Sequence, residues 1–120
     1  IFGDFFNVSV VNAGGIKTPV HDVIENDKEY IVELFLPGIK KEDININVEK
    51  NVLIIKAERK EISDLNYNRK QSYFGTYEKS LVLSDDCDIN NITSSLSEGI
   101  LKINIPKLEA KIIKKIIEIM

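Results

Sequence analysis

The stretch Gly99 to Lys107, GILKINIPK, alternates apolar and polar residues without a break. Leu101, Ile103 and Ile105 fall in one phase, Lys102, Asn104 and Pro106 in the other. Successive side chains of a β-strand point to opposite faces, so this pattern specifies a strand with one face buried and the other in water. The same period recurs along the chain. In EYIVELFLPG, Tyr30, Val32, Leu34 and Leu36 share a phase, and Pro37-Gly38 stops the run, because proline gives no ladder donor and glycine permits the turn. DININVE sets Ile44, Ile46 and Val48 against Asn45 and Asn47. After the break Glu49-Lys50-Asn51, VLIIKAERK reads as its hairpin partner. Leu53, Ile55 and Ala57 lie in one phase there; Val52 and Ile54 make the other phase apolar too, as a central strand requires. GTYEKSLVL places Tyr77, Lys79, Leu81 and Leu83 together, and NITSSLS gives a weaker strand through Ile92, Ser94 and Leu96.

Closely spaced strands, turn signals between them and no helix long enough for a crossover predict an all-β chain, an antiparallel immunoglobulin-like β-sandwich. A length of 120 residues with 43% hydrophobic content suits one domain with a modest core. The polar segment KEISDLNYNRKQSYFG, from Lys60 to Gly75, is longer than a hairpin needs and is a candidate functional loop.

A net charge of -3 gives no basic face for phosphates, so nucleic acid is not expected as a partner. No run of 18 apolar residues occurs, and a membrane is not expected as a partner either. Cys87 stands alone, so packing holds the fold, which fits a reducing, cytoplasmic setting. The chain opens on Ile1, so residues 1–17 are read as a partial N-terminal arm, and a targeting segment ahead of it stays open.

Enzyme chemistry has little to work with. His21 is the one histidine, and the sequence holds no nucleophile triad, phosphate loop or Cys/His cluster. Cys87 sits in the acidic turn SDDCDIN, where carboxylates oppose a thiolate, and Asp85, Asp86 and Asp88 lack the spacing of a calcium loop. The expectation is no enzyme, no metal and no cofactor.

In order and spacing, ELFLPGIKKEDININVEKNVLIIKAERK, then YNR…YFGTYEKSLVL, then ITSSLSEGILKINIPK and a late IEI resemble the α-crystallin domain of the small heat shock proteins. The likeness runs from about Pro19 to Ile119 and is similar to the plant and microbial branch, which carries a long loop after the position of Arg59. It implies a domain over 18–107 and a tail over 108–120. It also implies a homodimer in which a loop strand near Tyr67, Asn68, Arg69, Lys70 and Gln71 pairs with the partner's first domain strand, from Pro19, Val20, His21 and Val23 to Ile24. A polar strand without a place on its own body finds backbone partners on another chain's edge. Where the family usually has an arginine in the following strand, alignment gives Lys79, a further candidate for the dimer interface; Gln71 and Ser72 replace Glu-Arg, and Leu83-Ser84 replaces Leu-Pro.

The resemblance further implies that the Ile-x-Ile element, Ile117 and Ile119, docks as an extended strand in a neighbour's groove and builds larger homo-oligomers. Ile46, Val48 and Leu96 are candidates for that groove and for client binding. Exposed aromatics of the arm, Phe2, Phe5 and Phe6, are further candidates to hold partly unfolded clients, because apolar contact is non-directional. The same tail also reads as an amphipathic basic helix, with Leu108, Ile112, Ile113, Ile116 and Met120 on one side and Lys111, Lys114 and Lys115 on the other. The function implied is an ATP-independent holding chaperone that prevents aggregation. The alternative is a CS-type co-chaperone or adaptor domain that docks, as a monomer, on a folded partner.

Overall fold

The computed structural model describes residues 6–8, 16–62 and 64–108. Nine strands follow one another: β1 (Phe6–Val8), β2 (Ile16–Lys17), β3 (His21–Glu25), β4 (Glu29–Phe35), β5 (Ile44–Glu49), β6 (Val52–Arg59), β7 (Gly75–Val82), β8 (Thr93–Ser97) and β9 (Ile100–Pro106). They form two sheets. One has the order β1-β7-β6-β5, with β2 also paired to β7; the other runs β3-β4-β9-β8. Every pairing is antiparallel except the short parallel match of β2 with β7. This is the sandwich that the alternation predicts.

Register follows the apolar phase. Across β4 and β9, Tyr30 pairs with Ile105, Val32 with Ile103 and Leu34 with Leu101, and all six are buried. In the other sheet Leu53 pairs with Leu81, while Ile55 faces Lys79 and Ala57 faces Tyr77. A one-residue slip would turn these side chains to water, so burial fixes the pairing. The hairpins are equally explicit: Lys50 and Asn51, both at positive φ, join β5 to β6, and Glu98 with Gly99 join β8 to β9. Two-residue turns of this hand match the right-handed twist of the strands.

Within residues 1–17, read from sequence as a partial N-terminal arm, Phe6–Val8 and Ile16–Lys17 pair along β7. Both segments are too short to carry a periodic signal, and the open backbone of β7 supplies their hydrogen bonds. Gly38 (φ +78) meets a second constraint, since a Cβ there would stand 2.9 Å from the Arg59 Nε. That arginine covers the turn after β4.

Ile103 is fully buried at the centre of the four-stranded sheet. Ile103→Ala should cost about 3 kcal/mol through lost burial and the cavity left behind, read as a lower urea midpoint with an unchanged slope. Lys102→Ala, on the exposed phase of the same strand, should stay within about 0.5 kcal/mol of the wild type.

Candidate functional site

An unclosed sandwich leaves its edge strands available, and the chain's candidate residues gather at two such places. The first is the gap between β5 and β8, the edges of the two sheets on one side. A groove of about 420 Å³ opens there. Ile44, Ile46, Leu96 and Leu101 make its apolar lining, and Lys41, Ser94 and Ser95 its polar part. Of the sequence candidates, Ile46 and Leu96 line it. Val48 does not; it packs against the core two residues further along β5. Ile44 was legible as the same phase as Ile46, whereas Lys41 sits on a short 3-10 turn that no periodicity marks.

The second place is the opposite side, where β3 ends the four-stranded sheet and β7 lies across from it. Pro19 is buried, Val20 is 71% exposed and Val23 is 37% exposed, so this edge keeps apolar side chains in water. His21 takes the inward phase, opposite Leu34. Lys79 also points inward and is only 4% exposed, in the row of Ile55. No hydrogen bond or ion pair holds its ammonium among the described residues. Burial alone pushes the Lys79 pKa down. Burial, and then the charge of Lys79, lower that of His21 against the weaker pull of Asp22. A lysine read from sequence as a candidate interface charge is therefore a core-facing residue of β7, which β6 flanks on one side and β1 and β2 on the other, and it faces the open β3 edge.

Residues 60–62 and 64–74, between β6 and β7, are irregular in the single chain, and Tyr67 to Gln71 are exposed. The base of this loop is ordered by cations and rings. The Arg59 guanidinium lies 4.0 Å from the Phe74 ring centre and donates to the Tyr73 carbonyl at 3.3 Å. The Lys70 ammonium stands 4.9 Å from the same ring and pairs with Glu61. Such contacts orient the loop without giving it a strand partner. Phe2, Phe5, Ile117 and Ile119 lie outside the described residues, and Phe6 is placed only as the first residue of β1.

One further cluster escaped the sequence reading, because Tyr30 lies more than fifty residues from its partners Ser84 and Asp86. Asp86 accepts hydrogen bonds from the Tyr30 hydroxyl at 3.1 Å and the Ser84 hydroxyl at 2.6 Å. Its backbone oxygen takes the Leu108 N–H at 2.7 Å. Lys107 bonds Glu25 at 2.8 Å and lies over the Tyr30 ring. These contacts pin the chain where it leaves β9. Cys87 is buried beside them, and burial, chiefly, raises its thiol pKa, as suits an inert core cysteine. No group of three or more possible metal ligands occurs among the described residues.

Among the described residues, the candidate site consists of open sheet edges and a groove between the sheets. The profile of the Hsp20/alpha crystallin family matches residues 22–120, and the chain belongs to that family. It is similar to small heat shock protein C4 of Rickettsia felis, 34% identical over 125 residues that cover 97% of this chain and 77% of the relative. A probable Hsp20 family chaperone of Onion yellows phytoplasma is 34% identical over 114 residues, covering 92% and 82%. Among solved structures, heat shock protein 16.0 of Schizosaccharomyces pombe superposes with a TM-score of 0.74 at 27% identity, over 92% of this chain and 80% of that one. The small heat-shock protein of Xylella fastidiosa gives 0.70 at 34% identity, over 76% and 86%. The chain is therefore a small heat shock protein of the chaperone class, with the α-crystallin sandwich. No helix among the described residues is long and apolar enough to cross a membrane.

Burial and its hydrogen-bonded carboxylate push the Tyr30 pKa up to about 12. A phenol that ionises later in the folded chain than in the unfolded one stabilises the fold below the ordinary tyrosine range and loses that contribution as pH rises from about 10 to about 12. Absorbance titration near 295 nm should show one late tyrosine, absent in Tyr30→Phe, and the variant's stability should fall less steeply over the same pH window.

Proposed function

We propose that the chain is an ATP-independent holding chaperone that captures partly unfolded proteins on apolar surface and keeps them from aggregating. The observation that carries this reading is the groove between β5 and β8, with four apolar side chains facing an open channel of about 420 Å³ in a chain of the Hsp20/alpha crystallin family. Monomeric proteins seldom leave a rimmed apolar channel unfilled. An extended segment with side chains two apart fits it, because the lining residues themselves repeat at that spacing. Ile117 and Ile119 of a neighbouring subunit are the occupant in the assembled state. Client segments take the same surface, and that of Phe2, Phe5 and Phe6, when the tail withdraws.

Assembly begins with a homodimer in which Tyr67 to Gln71 of one chain adds to β3 of the other. Charge supports this pairing. The loop segment carries Arg69 and β3 carries Asp22, while Lys70 and Glu25 are held within the chain by Glu61 and Lys107. Two buried isoleucines are worth roughly 3 to 6 kcal/mol gross. Ordering the tail takes back much of that, so the links between dimers are weak and reversible. No nucleotide or cofactor enters the cycle, and the expected setting is the cytoplasm.

Light scattering from a heat-aggregating client, without ATP, should fall as this protein is added and approach full suppression near one subunit per client. An undiminished signal at severalfold excess, together with a monomeric solution mass, would replace this reading with an adaptor that docks on a folded partner. Ile117→Ala combined with Ile119→Ala should reduce the assembly to dimers by light-scattering mass, and Ile46→Lys should do the same from the groove side. An unchanged mass in both would remove tail docking.

A further inference from the structure

Among the described residues, Lys79 is a cation without an anion. It occupies a core-facing position of β7, 4% exposed, and its row mates are Ile55 across the ladder and Tyr77 and Leu81 along the strand. Facing it from the other sheet, His21 occupies the inward phase of the β3 edge. Each of the packed elements offers little to balance these charges. β4 brings Leu34 opposite His21, and Glu33 lies on the outer phase with Asp22. β2 brings Lys17, another cation, to the row of Tyr77. Glu78, next to Lys79 in sequence, turns to the outer face and pairs with Lys56 at 3.4 Å. Asp22 alone favours a protonated His21, and it is outweighed by burial and by Lys79.

The second subunit does not mend this. The segment that would cover β3 carries Arg69 and Lys70 and no carboxylate. Of the acids just ahead of it, Glu61 is already held by Lys70 and Asp64 lies three residues before Tyr67. Covering the edge therefore removes solvent from half-buried His21 and the little that still reaches Lys79, and the covering segment supplies no opposite charge. Burial of that kind disfavours the charged form. A lysine, unlike an arginine, can give up its proton in response.

We infer that His21 and Lys79 make assembly through the β3 edge proton-linked, so that a second copy of the chain binds more tightly as pH rises and dimers loosen on acidification. The inference rests on the exchanged-strand dimer proposed above. Its sign follows from linkage. If the covered state binds fewer protons than the free subunit, association strengthens with pH, by about tenfold per pH unit for each proton released. Lys79 acts on the alkaline side and His21 on the acid side.

Sedimentation of the full chain over a dilution series from pH 6 to pH 9.5, at constant ionic strength, reads the dimer step directly. The wild type should associate at least about tenfold more tightly at pH 9 than at pH 7. Lys79→Met, which keeps an apolar stem but no charge, should be tighter than the wild type at pH 7 and should lose the alkaline rise. Lys79→Arg, whose charge stays, should be weak and flat over the same range, which keeps the test decisive if the methionine variant misfolds. His21→Gln should flatten only the limb below about pH 7. A dimer whose strength does not change with pH, or a rise that survives in both Lys79 variants, overturns the proton linkage and leaves the dimer standing. A monomer at every pH overturns the exchanged-strand dimer itself.

Discussion

The inner faces of β4 and β9 packed on those of β6 and β7 are the contact on which the rest of this protein depends. Val32, Leu34, Ile103 and Ile105 on one side and Leu53, Ile55 and Leu81 on the other exclude water almost completely. Cys87, the chain's one cysteine, stays a free thiol within the same core. Because burial specifies the phase of each of these strands, it also specifies where their neighbours must lie. β5 and β8 are carried to one side of the sandwich, and β3 and the β7 edge to the other. The groove and the open β3 edge are what remains when two twisted sheets are stacked but never closed into a barrel.

Legibility followed the same physics. Strands that bury one full face, β4, β5, β6, β7 and β9, could be read from alternation to within a residue or two of their ends, because their phase is the fold. The two hairpin turns were visible as breaks between phases. β1 and β2 were not, since two or three residues carry no period and their pairing depends on an edge supplied from far along the chain. Lys79 shows the limit of residue type as a guide. Its phase, shared with Tyr77 and Leu81, already pointed inward, while its charge suggested a surface or interface position. The Tyr30–Ser84–Asp86 contact had no local signature at all, and Ser84 stood out only as the residue present where relatives of this kind carry proline.

The groove was half legible for a related reason. Ile46 and Leu96 sit in strands whose phase is plain, but which inward residues end as floor and which as core depends on how the sheets splay. Val48 and Ile46 are two residues apart in one phase, yet only Ile46 lines the channel. Sequence fixes the face; the angle between sheets chooses among its members. The chaperone reading gains from this arrangement, because a site made of sheet edges recognises backbone and apolar bulk and asks little of a client's particular sequence.

The pinned exit of the chain after Pro106 has a geometric consequence. Hydrogen bonds from Leu108 to Asp86 and from Lys107 to Lys28 fix the point from which everything beyond departs. Nine residues separate Leu108 from Ile117, and a polypeptide reaches at most roughly 3.3 to 3.6 Å per residue, so the motif stays within about 30 Å of that point. In the proposed tail docking, the grooves that Ile117 and Ile119 reach, and so the spacing of neighbouring dimers, are bounded by chain length before any affinity is counted.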